Sequence, residues 1–165
     1  RKNVESSLQL PYSIEERENW NYTFITKHGI QYHAYFIDVS YLHPEFEEVY
    51  TFNIEPEDDT PHPIDVRIAL TVADILRRFF LIKERAMLMV CDNLDGKEQK
   101  RELLFSRWFS QYNEGYISKY DASSETEDYR LYVSIYLHKE NPRSNILVTA
   151  FYQLVSNDMY PVDEE

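Results

Sequence analysis

The sequence predicts an α+β domain with a mainly antiparallel sheet of about six strands and helices packed on one face. Three observations favour this fold class. Apolar and polar residues alternate in several short segments, which is typical of strands with one buried face. Apolar residues recur at helical spacing in three longer segments. Hydrophobic residues make up 43% of the 165 residues, and aromatic residues make up 15%, so one domain can bury a core.

The predicted strands of the first third follow a polar N-terminal segment, residues 1–20. In that segment Ser13 and Glu16 have the spacing of a helix capping box, which predicts a single helical turn. Strand patterns then occupy residues 22–26, 30–39 and 48–55. Gly29 lies between the first two and can adopt the positive φ of a tight turn. Because the connections are short, these strands predict an antiparallel meander.

The middle of the chain predicts a helix, a buried strand and a second helix. Residues 63–83 have a wide apolar stripe, with Asp65 near the start, where the helix dipole favours an acid. Residues 86–91 are continuously apolar, as in a central strand. Residues 97–113 again have helical spacing, and Gly115 ends that helix.

The last third predicts a hairpin and a final helix. Strands at 116–121 and 130–139 flank an acidic loop, and a helix follows from Ser144. The order is β-β-β-α-β-α-β-β-α. We expect one domain over residues 21–156 and a frayed acidic tail over residues 157–165.

Charge and cysteine content exclude several classes of protein. The net charge of −12 disfavours direct binding to nucleic acid, because phosphate contacts need clustered Lys and Arg. The only cysteine, Cys91, has no partner for a disulfide within the chain, which favours a reducing compartment, the cytoplasm. No apolar run approaches the roughly 20 residues that cross a bilayer, so no membrane partner is expected.

Three short stretches carry a resemblance to a known family. They are Tyr32-His33-Ala34-Tyr35-Phe36-Ile37, the Cys91-Asp92-Asn93 turn with Arg101, Phe105, Trp108 and Phe109, and Leu137-His138-Lys139-Glu140-Asn141-Pro142. In order and spacing they resemble a family of small bacterial proteins of unknown function, over roughly residues 20–155. The resemblance implies a bacterial cytoplasmic origin and one domain, and it transfers no catalytic residue.

No complete signature of catalysis, cofactor binding or metal binding occurs. With only 3 Gly, the chain lacks both Gly-rich phosphate motifs, and it has no Gly-x-Ser-x-Gly elbow. Asn93, Asp95 and Gly96 match part of a calcium loop, but Cys91 stands at the first ligand position. We therefore predict no catalytic residue, no cofactor and no metal; this weighs against an enzyme, and enzymatic activity stays open as an alternative.

Candidate binding residues fall into two groups, one at the turn after the buried strand and one on an aromatic strand face. The turn places short polar groups and basic residues at a sheet edge. The strand face alternates Tyr and His, although such a face is also ordinary in an exposed antiparallel sheet. The candidates are Asp92, Asn93, Asp95, Arg101, Arg107, His33, Tyr35, Tyr132, Tyr136 and His138.

The leading functional hypothesis is a non-catalytic module that binds a protein partner or a second copy of the chain. Its basis is a Tyr-rich sheet face with an acidic periphery, since aromatic residues are enriched at interfaces. One alternative is a small enzyme or ligand binder with its site at the turn between Asp92 and Gly96. Another is an acidic decoy that binds a basic partner.

Overall fold

A computed structural model describes residues 9–59, 61, 65–92, 107–110, 113, 115–125, 127 and 130–157. They form an α+β fold with a seven-stranded, mainly antiparallel sheet in the order β1-β2-β3-β4-β5-β7-β6. The strands are β1 (Glu15–Arg17), β2 (Asn21–Ile25), β3 (Gln31–Asp38), β4 (Val49–Pro56), β5 (Ala86–Asp92), β6 (Ile117–Glu125) and β7 (Arg130–His138). Among the described residues, the longer helices are α1 (Val66–Phe79) and α2 (Ser144–Asn157), and short 3-10 helices lie at Glu18–Trp20 and Ser40–Leu42.

The chain divides into two compact units, and both units are discontinuous in sequence. The first contains Arg1–Phe36 and Phe52–Phe79, and the second contains Ile37–Thr51 and Phe80–Glu165. The single domain expected over residues 21–156 remains a prediction.

In the first unit, β1, β2 and β3 form an antiparallel meander, with Thr23 opposite Glu15 on one side and His33 on the other. Gly29 turns the chain between β2 and β3 with φ of 75°, as the sequence predicted. The helical turn predicted from Ser13 and Glu16 is wrong. This segment forms β1 instead, because it pairs with β2, whereas a capping box reports only local preference.

Helix α1 packs in the first unit through aromatic contacts and a capped N-terminus. Asp65 Oδ1 accepts the Ile68 N–H at 3.1 Å and so caps the first turn. The Phe79 ring stacks on Phe36 at 4.4 Å between centroids. Asp65 Oδ2 also accepts the hydroxyl of buried Tyr12 at 2.6 Å, which ties the N-terminal segment to the helix.

In the second unit, β4 pairs with β5 in parallel, and β7 lies between β5 and β6 with both pairings antiparallel. The core is a cluster of buried apolar side chains from the strands and from α2, and it includes Leu88, Ile135 and Phe151. Burial of this kind contributes roughly 25 cal/mol for each Å² of apolar surface removed from water.

The two faces of β7 contact different helical segments. Odd-numbered side chains such as Val133 and Ile135 belong to the core cluster with Leu147 of α2. Even-numbered Tyr136 contacts Trp108, in the helical segment 107–110, with ring centroids 5.7 Å apart. Because side chains alternate across a strand, helical residues lie on both faces of β7. The sequence had predicted helices on one face of the sheet.

Two predicted elements differ from the structure in extent. The strand predicted at 116–121 continues through the expected acidic loop to Glu125, because every residue of β6 is paired with β7. Of the second predicted helix, residues 97–106, 111 and 112 lie outside the described part of the chain. Gly115, predicted to end that helix, has φ of 89°.

Candidate functional site at the outer strand

Strand β6 is the last strand of the sheet order, and its backbone groups alternate between β7 and the opposite side. The Lys139 N–H donates to the Tyr116 carbonyl at 2.8 Å, so Tyr116 faces the β7 side. In an antiparallel pair, the residues that bond to the partner strand alternate with residues that do not. The even-numbered residues of β6 therefore face β7, and the odd-numbered residues face outward.

The side chain of Asn113 confirms this alternation at the start of β6. Its Nδ2 donates to the Ile117 carbonyl at 3.0 Å, and its Oδ1 accepts the Ile117 N–H at 3.1 Å. Both outward groups of Ile117 are thus satisfied by one carboxamide, which takes the place of a neighbouring strand. Asn113 stops further strand pairing at this end of β6.

The centre of β6 has no such cover from the part of the chain that the structure describes. The outward N–H groups of Lys119, Asp121 and Ser123 find no backbone partner there. The Asp121 carbonyl has only a long contact of 3.5 Å with the hydroxyl of Tyr152. An open row of donors and acceptors on an outer strand is a template for pairing with another strand.

Opposite charges lie side by side on this open stretch. Lys119 Nζ lies 3.4 Å from Asp121 Oδ1, and the same oxygen accepts the Ser134 hydroxyl at 2.5 Å. The Asp121 side chain is nevertheless 64% exposed, so a further partner can reach its carboxylate. Lys119 also lies over the ring of Tyr136, with Nζ 5.8 Å from the centroid, which holds its stem against the sheet.

A small pocket lies beside this charge pair. It has a volume of about 140 Å³ and combines apolar side chains with the Lys119, Asp121 and Ser134 groups. Its lining residues are Met89, Cys91, Lys119, Asp121, Ala122, Tyr132, Val133 and Ser134. The volume is well below the roughly 300–1,000 Å³ of typical small-molecule sites.

Two tyrosines flank β6 with exposed surface. Tyr152 of α2 is 43% exposed and reaches the Asp121 carbonyl. Tyr132 of β7 is 46% exposed, and its hydroxyl accepts a hydrogen bond from Arg130 at 3.0 Å. Tyrosine is well suited to interfaces because one end is apolar and the other forms hydrogen bonds.

An ion pair closes the far end of β6. Arg130 Nη2 lies 2.9 Å from Glu125 Oε1 across the β6–β7 pair. The hydrogen bonds that Arg130 donates, to Glu125 above all and also to Tyr132, raise the pKa of its guanidinium. Asn113 therefore bounds the outward backbone groups of β6 at one end, and the Glu125–Arg130 pair is the last residue pair of β6 with β7 at the other.

The structure describes only part of the predicted binding set. The side chain of Asp92, and Asn93, Asp95 and Arg101 entirely, lie outside the described residues. The predicted turn site between Asp92 and Gly96 therefore stays a prediction. Arg107 is described and exposed.

The aromatic candidates in the second unit have different environments. Tyr136 is fully buried against Trp108 and Phe109, so it does not present the exposed surface expected of this strand face. Tyr132, by contrast, lines the pocket and is exposed. His138 lies at the end of β7 and stacks on Tyr116 with centroids 6.2 Å apart.

The candidates in the first unit contact each other on β3. The rings of His33 and Tyr35 lie 5.0 Å apart, and His33 Nε2 lies 3.1 Å from Asn21 Oδ1. Burial, and to a smaller extent the charge and hydrogen bond of Glu55, raise the pKa of Tyr35. These contacts are of the kind expected between neighbouring side chains on one sheet surface.

Sequence reasoning missed Asn113, Lys119, Asp121 and Ser134. Their signal was weak, because single polar residues on an alternating strand are ordinary. The available clue was the alternation itself, which places Lys119, Asp121 and Ser123 on one face. Only the strand order shows that this face adjoins a sheet edge that no other strand in the described ranges pairs.

Within the described residues, no group of three or more His, Cys, Asp or Glu side chains is placed to hold a metal ion. None of the helices in the described part of the chain has the length and apolarity that crossing a membrane needs.

Comparison with known proteins gives a family. A family of unknown function, DUF6169, matches residues 64–153. No curated protein matches the chain. The matched region covers just over half of the 165 residues and includes all of β6 and β7. The chain therefore belongs to DUF6169, a family of unknown function.

Proposed function

We propose that this chain is a non-catalytic protein-interaction domain of the bacterial cytoplasm that binds its partner by strand addition to β6. The observation that carries the proposal is the row of outward backbone groups at Lys119, Asp121 and Ser123 that no described residue pairs. An added strand gains affinity from main-chain hydrogen bonds and specificity from alternate side chains.

The surroundings of β6 support binding of a protein rather than a small molecule. Tyr132 and Tyr152 offer aromatic surface on two sides of the strand. The pocket beside it, of about 140 Å³, accommodates a partner's side chain better than a metabolite. Lys119 and Asp121 carry opposite charges, so this surface also differs from a uniformly acidic decoy.

The cytoplasmic and bacterial parts of the proposal rest on other observations. Cys91 is buried and is the only cysteine of the sequence, so no disulfide forms within it, which suits a reducing compartment. The resemblance of three stretches to bacterial proteins supports the source. Expression of the tagged chain in the source organism, followed by fractionation, checks the compartment.

Substitution of Ser123 tests the strand-addition proposal. Proline at this position removes an outward N–H without removing a β6–β7 hydrogen bond, because Ser123 faces away from β7. Proteins captured by the tagged wild-type chain would be identified and purified, and their affinities measured by calorimetry. We expect Ser123→Pro to weaken such binding by tenfold or more, equivalent to about 1.4 kcal/mol.

Ser123→Ala is the matched control, since it removes the hydroxyl and retains the N–H. It is expected to bind like the wild type. Equal binding by the wild-type and Ser123→Pro chains, with both folded by circular dichroism, would rule out β6 as the interaction surface. The same holds if Ser123→Ala weakens binding as much as Ser123→Pro.

A small-ligand site at the pocket is the second candidate function. The observation that favours it is the position of Cys91 in the pocket wall, next in sequence to the predicted Asp92 turn. A screen of small metabolites by ligand-observed NMR tests it. Saturable binding that Ser134→Ala abolishes would support this candidate over strand addition, and the lack of any such ligand would count against it.

A further inference from the structure

We propose that the partner added to β6 is the β6 strand of a second copy of this chain, paired antiparallel about a two-fold axis beside Tyr120. This inference rests on the proposed function, because it specifies the occupant of the same open edge. A strand paired antiparallel with its own copy makes an isologous interface, in which both copies use the same residues. The dimer therefore needs only one binding surface on each copy, the edge of β6.

Backbone geometry limits the registers that such a pair can adopt. Hydrogen-bonded pairs form only between residues that both face the partner, which on β6 are odd-numbered. An axis beside Tyr120 satisfies this condition. It places Lys119 of each copy opposite Asp121 of the other, with two main-chain hydrogen bonds in each of these pairs.

Charge selects this register among its neighbours. Moving the axis to Asp121 would place two aspartates directly opposite each other, and like charges in that position are destabilising. Moving it to Ala122 would place Lys119 opposite Glu125 of the second copy, which is already bound by Arg130 at 2.9 Å. The axis beside Tyr120 instead joins opposite charges twice.

The side chains of Lys119 and Asp121 are exposed enough to contact the second copy as well as each other. Asp121 is 64% exposed and Lys119 is 24% exposed at the side chain, so both charged groups are accessible. Their intramolecular distance of 3.4 Å leaves room for a second contact on each. Tyr120 of each copy meets its counterpart at the axis, and aromatic cross-strand pairs stabilise sheets.

The ends of β6 set the length of the interface. Asn113 occupies both outward groups of Ile117 through its carboxamide. With the axis beside Tyr120, Ser123 would lie opposite Ile117 of the second copy, so the hydrogen-bonded pairing is limited to residues 119–121. A short strand pair of this kind predicts a reversible dimer that depends on concentration and weakens with salt, because its charged groups are exposed.

Charge reversal in the full-length chain tests the register. We would measure sedimentation velocity for the wild type, K119D, D121K and the double variant K119D/D121K. Each single variant places two like-charge pairs across the axis, so we expect its dimerisation to weaken by about tenfold or more. In the double variant every contact joins opposite charges again, and dimerisation should return.

An equimolar mixture of K119D and D121K provides a control for folding. Each variant alone is expected to be monomeric, but the mixture places Asp opposite Lys at both positions and should form a heterodimer. Two misfolded chains would not combine in this way. On dimerisation, hydrogen exchange at the amides of Lys119 and Asp121 should slow, while the amides facing solvent in β1 should not change.

Several outcomes would overturn the inference. They are a wild-type chain that is monomeric at all concentrations, a dimer that both single variants leave unchanged, and a double variant or mixture that fails to associate. A monomeric wild type does not overturn the proposed function. That proposal fails if Ser123→Pro leaves binding to other proteins unchanged, or if Ser123→Ala weakens that binding as much as Ser123→Pro does.

Discussion

Tyr50 is the residue whose environment most clearly affects stability as pH changes. Its hydroxyl donates to Glu48 Oε2 at 2.8 Å, and the residue is buried. Burial, and then the hydrogen bond to Glu48 and its charge, raise the pKa of Tyr50 well above its ordinary value of about 10. The folded chain thus holds this proton more tightly than the unfolded chain does.

We predict that Tyr50→Phe lowers the free energy of unfolding by about 1–2 kcal/mol at pH 7, because Glu48 loses its donor. The raised pKa stabilises the folded wild type fully below pH 10. This stabilisation is lost as pH rises above 10 towards the pKa of the folded state, since the unfolded tyrosine ionises first. The difference between wild type and variant should therefore shrink above pH 10.

Urea denaturation of both proteins between pH 7 and pH 11 measures this difference. Tyr41→Phe serves as the control, because Tyr41 is 81% exposed and its substitution should change stability little. If the difference stays constant or grows above pH 10, then burial and Glu48 do not hold the hydroxyl proton of Tyr50 in the folded state.

Backbone conformation at single residues was only partly predictable. The positive φ of Gly29 follows from glycine between two alternating segments. Glu48 also has a positive φ of 56°, yet nothing in its residue type predicts it. The tertiary structure explains it in part, because the Glu48 carbonyl accepts the N–H of Ala86 at the start of β5.

At the scale of elements, α2 offers a direct test of its buried face. Leu147 is fully buried in the core cluster, and its neighbour Ile146 is 46% exposed. We predict that Leu147→Ala lowers the free energy of unfolding by about 2–5 kcal/mol, through lost burial and a residual cavity. Ile146→Ala should cost less than about 1 kcal/mol.

Equilibrium denaturation in urea, with equal m-values for both variants, provides the comparison. Similar costs at Leu147 and Ile146 would show that α2 does not pack on β7 through the face described here. Because the two positions are adjacent, they differ in helix face and share the same region of the helix.

Elements with strong periodicity were predicted well, and elements held by pairing with a neighbouring strand were not. The apolar stripe of α1 and the alternation of β7 predicted both elements, with ends that differ by a few residues. By contrast, β1 was predicted as a helical turn, and the end of β6 was predicted as a loop. Both segments are polar, so they are held by pairing with β2 and β7 and not by their own pattern.

At the scale of the whole molecule, stability should vary with position in the sheet. β7 has a neighbour on each side, and its Val133, Ile135 and Leu137 are almost fully buried. β1 is a short edge strand with three exposed residues. We predict slow hydrogen exchange at the amides of β7 and fast exchange at those of β1.

Native-state hydrogen exchange followed by NMR measures both strands in one sample. The amides of Ala86 to Leu88 in β5 should be protected like those of β7, because this part of β5 also pairs on both sides. Equal protection of β1 and β7 would show that the described order of strands does not set local stability.

The sequence by itself determined the α+β class, the main helices and strands, and the lack of a recognisable catalytic signature, because these depend on local periodicity and residue type. Only the tertiary structure decided that β7 lies between β5 and β6, and that Lys119 and Asp121 therefore lie on an edge that no other described strand pairs. Strand order depends on pairing between residues more than 40 positions apart, such as Leu88 and Ile135. The local pattern of apolar and polar residues does not specify which other strand such a strand pairs with.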